Sequence, residues 1–248
     1  MNKIIEALNS DKKVLVITGA GISTLSGIPD FRGKGGLYTK GENAEYMLSK
    51  SCLVYEPERF YEFYKNNMML ENFDCNIIHE VLAKLEEQGK IMGIITQNID
   101  NLHQRAGSNN VVDIHGNGDK YYCMQCSKEY TSEHYKNHGD KCECNGRIRP
   151  DIVLYGEGYN RKKLEKCLEL IDEAEVLIVL GSSIKVSTII HFIKMFLRFD
   201  DENKELYIAN NQPTYYDGYC TDKRYSDDLG KLFEEIKTEI IDNKKLTL

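Results

Sequence analysis

"ITGAGISTLSGIPDFRG", residues 17–33, decides how this chain is read. An apolar run, Val14–Thr18, leads straight into Gly19, Ala20 and Gly21. A continuous apolar run of that length reads as a parallel strand buried on both faces. Glycines directly after such a strand let a backbone approach a phosphate, so the join reads as a nucleotide-binding loop. The third glycine of G-x-G-x-x-G is missing, and Thr24 stands in its place. The chain then continues into Gly27-Ile28-Pro29-Asp30-Phe31-Arg32-Gly33 rather than into a long helix.

The pattern outward from this loop is α/β. Residues 92–96 form a strand that runs into Gln97-Asn98-Ile99-Asp100, and residues 111–114 form another that ends at His115-Gly116. "EVLIVLGSS" is a central strand ending in Gly181-Ser182-Ser183, and "ELYIANN" is a strand ending in Asn210-Asn211. Apolar residues at helical spacing fall between them, around 77–85, 164–171, 189–197 and 229–240. Strands alternating with helices predict a doubly wound, Rossmann-like parallel sheet. Ligands of such sheets sit beyond the carboxyl ends of the strands. Five of those ends carry small, polar or titratable residues, which is more than turns alone require.

Two stretches break the alternation. Residues 36–76 are glycine-rich and then aromatic at helical spacing; residues 119–149 are polar and rich in Tyr, Lys and Cys. Both read as insertions forming a smaller domain, with 1–35, 77–118 and 150–248 making the nucleotide-binding domain. In the second insertion Cys123-x2-Cys126 is followed by Cys142-x-Cys144. Four thiolates so spaced predict a tetrahedral zinc ribbon. Four cysteines leave no open position for water, so the zinc is expected to be structural. Lys120, Lys128, Lys136 and Lys141 make this insertion locally basic, so a nucleic-acid-reading ribbon stays open as an alternative.

Composition narrows the function. The 248 residues are 41% apolar and 29% charged, with a net charge of −7. That balance disfavours nucleic acid as the main partner and suits a cationic one, such as a lysine-bearing protein tail. No apolar run reaches membrane-spanning length, and the N-terminus lacks the apolar core of a signal peptide. A cytoplasmic location is expected. Cys52, Cys75, Cys167 and Cys220 show no pattern and read as small apolar residues in a reducing compartment.

"GAGIS", "SGIPDFRG", "TQNIDNLHQRAG", "IHGN", the four cysteines, "RPDIVLYGE" and "GSS" occur here in that order. Together they resemble the bacterial-type sirtuins, NAD-dependent protein-lysine deacylases of the silent-information-regulator family. The resemblance implies a cofactor that is consumed: NAD loses nicotinamide, and the acyl oxygen of a lysine attacks C1′ of the exposed ribose. It also accounts for the extended loop. Such an enzyme must shield that carbon from water, and a segment carrying Phe31, stiffened by Pro29, would cover it.

The resemblance assigns roles residue by residue. Gly19, Ala20, Gly21, Thr24, Asp30, Phe31 and Arg32 would hold the phosphates and sugar, with a helix N-terminus favouring the negative charge. Gln97, Asn98, Ile99 and Asp100 would surround nicotinamide and its ribose; an Asp and an Asn here also read as a helix cap. His115 would be the general base, accepting a proton from a ribose hydroxyl, with Asn98 and Asp100 beside it in the catalytic set. Gly181, Ser182, Ser183, Asn210, Asn211 and Ser226 would hold the adenosine half. Ile99, Val153, Leu154, Tyr155, Gly156 and Val186 would contact the acyl-lysine peptide, part of it pairing as an added strand. His103 reads as structural.

Two departures bear on substrate. The apolar pair and proline usual after "GSS" are replaced by Ile184-Lys185-Val186-Ser187. The Tyr-x-x-Arg pair of the branch that takes acidic acyl groups is met here by Tyr64-Lys65-Asn66-Asn67, so a neutral acyl group, acetyl first, is expected. The expected products are free lysine, nicotinamide and O-acyl-ADP-ribose. A protein mono-ADP-ribosyltransferase, a zinc-stapled dehydrogenase and a non-catalytic NAD-binding adaptor remain as alternatives.

Overall fold

The computed structural model describes residues 2–30, 43–69, 73–198 and 204–242. Among them eight strands form two sheets. In chain order they are β1 (Val14–Thr18), β2 (Gly93–Thr96), β3 (Val111–Asp113), β4 (Gly116–Cys123), β5 (Glu129–Thr131), β6 (Ile148–Ile152), β7 (Val176–Leu180) and β8 (Glu205–Ala209). The helices are α1 (Lys3–Asn9), α2 (Ala44–Met47), α3 (Lys50–Tyr55), α4 (Pro57–Asn67), α5 (Ile77–Glu87), α6 (Leu102–Arg105), α7 (Ser132–His138), α8 (Arg161–Glu173), α9 (Ser187–Phe196) and α10 (Leu229–Ile236).

The larger sheet has the order β3-β2-β1-β7-β8 and is parallel throughout. All five residues of β1 are buried, as a strand covered on both faces must be. Successive side chains point to opposite faces. Val14 and Val16 therefore pack with α1, α5 and α10, while Leu15 and Ile17 pack with α8 and α9. Each fully buried Leu, Ile or Phe in these layers contributes about 1.5–3 kcal/mol relative to an exposed one. From β1 the chain builds outward through β2 to β3, then crosses back to β7 and β8 on the other side. The order reverses between β1 and β7, so a crevice opens beyond their carboxyl ends. The five expected strand ends lie along that one edge.

The smaller sheet is antiparallel, in the order β5-β4-β6. Its apolar face shares one core with α2, α3, α4 and α7. The Tyr121 ring stacks on Tyr135 at 4.7 Å and meets Tyr64 edge-on at 6.4 Å. Residues of both insertions are thus packed together. One boundary differs from the sequence reading. Residues 150–152 were expected to rejoin the parallel sheet, but β6 pairs antiparallel with β4 from Ile148 to Ile152. Burial of Ile148 and Ile152 in the smaller core draws the strand there. Pro150, lacking an N–H, is tolerated because β6 is an edge strand.

Beyond β1 the expected helix N-terminus is absent. Two short 3-10 turns, Ala20–Ile22 and Thr24–Ser26, stand there instead, closed by Gly27 at φ +89°. No helix among the described residues is long and apolar enough to cross a membrane.

Candidate active site

Gly19, Gly21 and Gly181 press two loops together at the crevice. Gly19 N–H extends the sheet ladder to Leu180 O at 3.0 Å, and Gly21 N–H donates to Gly181 O at 2.9 Å. A Cβ on Gly21 would stand 2.8 Å from Gly181 Cα, and one on Gly181, at φ +59°, would stand 2.6 Å from Ile22 N. These glycines therefore serve loop-to-loop contact, and the Gly21 N–H is already spent on it. Thr24 is exposed, with its hydroxyl on Gly21 O at 2.9 Å. Asp30 is half-buried at the end of this stretch. Phe31 and Arg32 lie outside the described residues.

The loop after β2 reaches back over β1. Gln97 Nε2 donates to Ser182 Oγ at 2.9 Å and to Thr18 O at 3.2 Å. Asn98 Nδ2 donates to Gly19 O at 3.2 Å and to Ser23 Oγ at 3.1 Å. Ser23 in turn donates to Asp100 Oδ2 at 2.7 Å. Asp100 Oδ1 accepts the first N–H of α6, from Leu102 at 3.0 Å, while the N-cap residue, Asn101, makes no side-chain cap. Burial raises the Asp100 pKa against these hydrogen bonds. Three strand-end loops are knitted into one polar floor.

His115 stands between β3 and β4, half-buried. Its Nδ1 lies 2.9 Å from Gln97 O. A carbonyl oxygen only accepts, so Nδ1 carries the proton and Nε2 holds the free lone pair. Burial lowers the His115 pKa, opposed by that backbone hydrogen bond. The ring is therefore neutral at pH 7 and able to accept a proton. Tyr159 flanks it at 5.8 Å. The next residue must be glycine: Gly116 has φ +90°, and a Cβ there would meet Asp151 O at 2.1 Å.

Across the crevice, Ser182 and Asn210 are buried, Ser183 is half-buried, and Asn211 and Ser226 are exposed. Asn210 Nδ2 donates to Gln212 O at 2.8 Å, and its own carbonyl accepts from Arg224. Ile184 carries φ +52°, an unfavourable conformation for a β-branched residue and a local store of strain. Val186, half-buried, begins α9.

The segment after β6 is held by a clamp. Arg149, 4% exposed, donates to both carboxylate oxygens of Glu157, at 2.5 and 3.0 Å, and to Ile152 O at 2.7 Å. Three amides expected to face a peptide are already engaged. Val153 N donates to His115 O at 2.8 Å, Tyr155 N to Leu48 O at 3.0 Å and Leu154 N to Glu157 Oε2 at 2.9 Å. Leu154 O and Tyr155 O are engaged as well, by Glu157 N at 3.0 Å and Lys50 N at 2.9 Å, so an added strand would have to use Val153 O and Gly156. Leu154 is buried, while Tyr155 and Gly156 are exposed.

The four cysteine sulfurs lie within 4.8 Å of one another. The closest pairs are Cys123 with Cys144 and Cys142 with Cys144, each at 3.5 Å, followed by Cys126 with Cys142 at 3.6 Å. Zn–S bonds of about 2.3 Å in a tetrahedron require sulfurs roughly 3.8 Å apart, so the set fits zinc. Tyr130 Oη lies 3.0 Å from Cys142 Sγ. A hydroxyl proton shared there lowers the Cys142 thiol pKa, favouring its thiolate. Cys52 and Cys167 are fully buried in the cores, as expected of apolar residues, while Cys75 and Cys220 are only partly so.

Residues 19–188 match the family model described as the Sir2 family. The chain belongs to the Sir2 family. It is 41% identical over 237 residues to an NAD-dependent protein deacetylase of Staphylococcus epidermidis, covering 93% of this chain and 94% of that one. A solved Sir2 complex with p53 peptide and NAD+ superimposes with a TM-score of 0.84 at 38% identity, over 96% of this chain and 98% of its own. A Sir2 structure with a deacetylated p53 peptide and 3′-O-acetyl ADP ribose gives a TM-score of 0.87 at 37% identity, over 96% and 97%.

Within this Sir2 chain, sequence reasoning found the strand-end residues and missed the groups that hold them. Ser23 joins Asn98 to Asp100, Arg149 and Glu157 brace the segment beyond β6, and Tyr159 flanks His115. Ser23 closes the "GAGIS" motif and Arg149 and Glu157 bound "RPDIVLYGE", so these three had a sequence signal, while Tyr159 had none. Asn211 and Ser226, exposed in the described structure, are the expected residues least drawn into the crevice.

Proposed function

We propose that this chain removes acyl groups, acetyl first, from protein lysines while consuming NAD. The observation that carries this is the neutral His115 imidazole, its Nδ1 pinned to Gln97 O at 2.9 Å. NAD supplies the chemistry: a ribose carbon that becomes electrophilic as nicotinamide leaves. The residues of the chain bind, orient and move the proton. His115 Nε2 takes it from a ribose hydroxyl, which is then able to attack the acyl-bearing carbon. Asn98 and Gln97, whose amide N–H groups are engaged, offer their amide oxygens to ribose hydroxyls and the carboxamide N–H, Asp100 and Ile99 line the nicotinamide end, and Ser23 fixes the Asp100 carboxylate. The loop of Gly19, Ala20, Gly21, Thr24 and Asp30 covers the phosphates and sugar, the role also expected of Phe31 and Arg32, which lie outside the described residues. Gly181, Ser182, Ser183, Asn210, Asn211 and Ser226 hold the adenosine half.

The peptide lies against Ile99, Val153, Leu154, Tyr155, Gly156 and Val186. A neutral acyl group suits the pocket's side of α4: Tyr64 is fully buried, and Lys65, the one nearby cation of that motif, is exposed. The parallel sheet serves as the NAD domain, and the two insertions act as one small domain stapled by structural zinc. Eight cysteines without a disulfide support a cytoplasmic setting. A net charge of −7 supports lysine-bearing protein over nucleic acid as partner.

Incubation with NAD and an acetyl-lysine peptide, followed by mass measurement of both products, tests the reading. Deacetylated peptide and O-acetyl-ADP-ribose are expected. A protein carrying ADP-ribose, or reduced cofactor, would replace it with transfer or dehydrogenase chemistry.

A further inference from the structure

We infer that His103 is a positioning residue for this reaction, holding the 97–100 loop through Thr18 and Thr96. The inference rests on the deacylase reading and names a residue that the reaction itself does not touch. His103, on α6, is 1% exposed. Its Nε2 lies 3.0 Å from Thr18 Oγ1, and Thr18 Oγ1 lies 2.9 Å from Thr96 Oγ1. Thr96 Oγ1 accepts the Asn98 backbone N–H at 3.0 Å. Thr18, Thr96 and Asn98 are all buried, so water does not compete for these bonds. The chain of contacts ends on the residue whose side chain reaches Gly19 O and Ser23.

The direction of the protons follows from the Thr18 hydroxyl, beside a second histidine. His79 Nδ1 accepts the Asn76 N–H at 3.3 Å, so its proton sits on Nε2. The His79 and His103 rings meet edge to face at 5.0 Å. Their buried nitrogens without a hydrogen-bond partner are His79 Nε2 and His103 Nδ1. The one hydroxyl proton of Thr18 goes to Thr96, so Thr18 can only accept from His103, and the His103 proton sits on Nε2. His103 then donates to Thr18, and Thr18 donates to Thr96, which also receives Asn98. Burial lowers the pKa of His103 to about 3 and of His79 to about 4, so both rings stay neutral in this arrangement. A packing residue would need none of this: leucine would fill the space. The donor matters because a small displacement of the loop misaligns groups that act by position.

Two measurements test this. In the first, a proton–nitrogen correlation spectrum of the full chain at pH 7 reports the His103 tautomer, whatever the activity. A proton on Nε2 is expected, and a proton on Nδ1 overturns the inference. In the second, His103→Leu and His103→Gln are assayed beside the wild type with NAD and an acetyl-lysine peptide. His103→Leu should lower kcat about tenfold, the loss of one buried hydrogen bond, with the peptide KM unchanged. His103→Gln, which keeps a donor near the Nε2 position, should recover to within about threefold. Thr18→Val should repeat the leucine effect, and the double variant should lose no more than either single one. Equal losses in the leucine and glutamine variants, or a leucine variant as fast as wild type, would overturn the positioning role. A wild type that yields no O-acetyl-ADP-ribose would overturn the deacylase reading instead, leaving the tautomer measurement to decide the hydrogen-bond chain by itself.

Discussion

His115 is tied to Gln97 by an N–H···O bond of 2.9 Å that joins the end of one strand to the loop after its neighbour. The bond fixes which ring nitrogen carries the proton and where the ring stands. It also couples the base to a residue that reaches Ser182 on the far side of the crevice.

The first expected outcome is a pH profile. Burial lowers the His115 pKa, so its neutral, proton-accepting form persists below the ordinary histidine value of 6.5. The rate should be flat near neutrality and fall only in acid, with its inflection below pH 6.5. His115→Ala should abolish deacetylation and leave the melting temperature nearly unchanged. Steady-state rates from pH 5 to 8 and a thermal melt check both.

Acid should destabilise the fold through the buried histidine pair. His79 and His103 have folded pKa values of about 4 and 3 against an ordinary 6.5. Below pH 6.5 the unfolded chain binds more protons than the folded one, so stability falls as pH drops towards those values. At pH 5 the loss is about 2 kcal/mol per histidine. Urea midpoints at pH 7 and pH 5 should show it, and the His79→Gln/His103→Gln double variant should show a weaker dependence.

Gly116→Ala should be severe. The new Cβ would meet Asp151 O at 2.1 Å on a backbone at φ +90°. A cost of about 3 kcal/mol or more is expected, lowering the melting temperature by roughly 6–12 °C. Because the neighbour is His115, kcat should fall as well. An alanine variant that melts with the wild type would contradict the turn geometry.

Glu157→Ala strands a buried cation. Arg149 is 4% exposed and would lose both carboxylate contacts. Breaking a buried pair from one side costs about 3–5 kcal/mol. The milder Glu157→Gln should raise KM for the peptide while leaving KM for NAD alone, since the clamp holds residues 152–157 and not the floor of the crevice. Separate titrations of the two substrates distinguish these effects.

Removing zinc with a strong chelator should unfold the small sheet, because its four ligands bridge the β4–β5 turn and the loop before β6. Tyr130→Phe keeps the ring contact with His134 at 4.5 Å and deletes the hydroxyl beside Cys142. Zinc release to a colorimetric chelator should become several-fold faster. An unchanged rate would show that the hydroxyl does not hold the thiolate.

Much of this protein is written locally. The apolar runs of β1, β7 and β8, the helical spacing of α5 and α8, and the Cys123, Cys126, Cys142 and Cys144 spacing are short-range patterns. Burial preference and metal geometry act on such patterns directly, so the sheet, its helices and the zinc site could be read before any coordinates. The polar residues at the strand ends were legible for the same reason, because parallel strands bring their carboxyl ends to one edge. Tertiary structure alone decided what those residues hold on to. Gln97 could reach Ser182, Ser23 could bridge to Asp100, and β6 could leave the parallel sheet for β4 only once distant segments had met. Hydrogen bonds and ion pairs between such segments depend on distances of a few tenths of an ångström, which packing sets and residue order does not encode position by position.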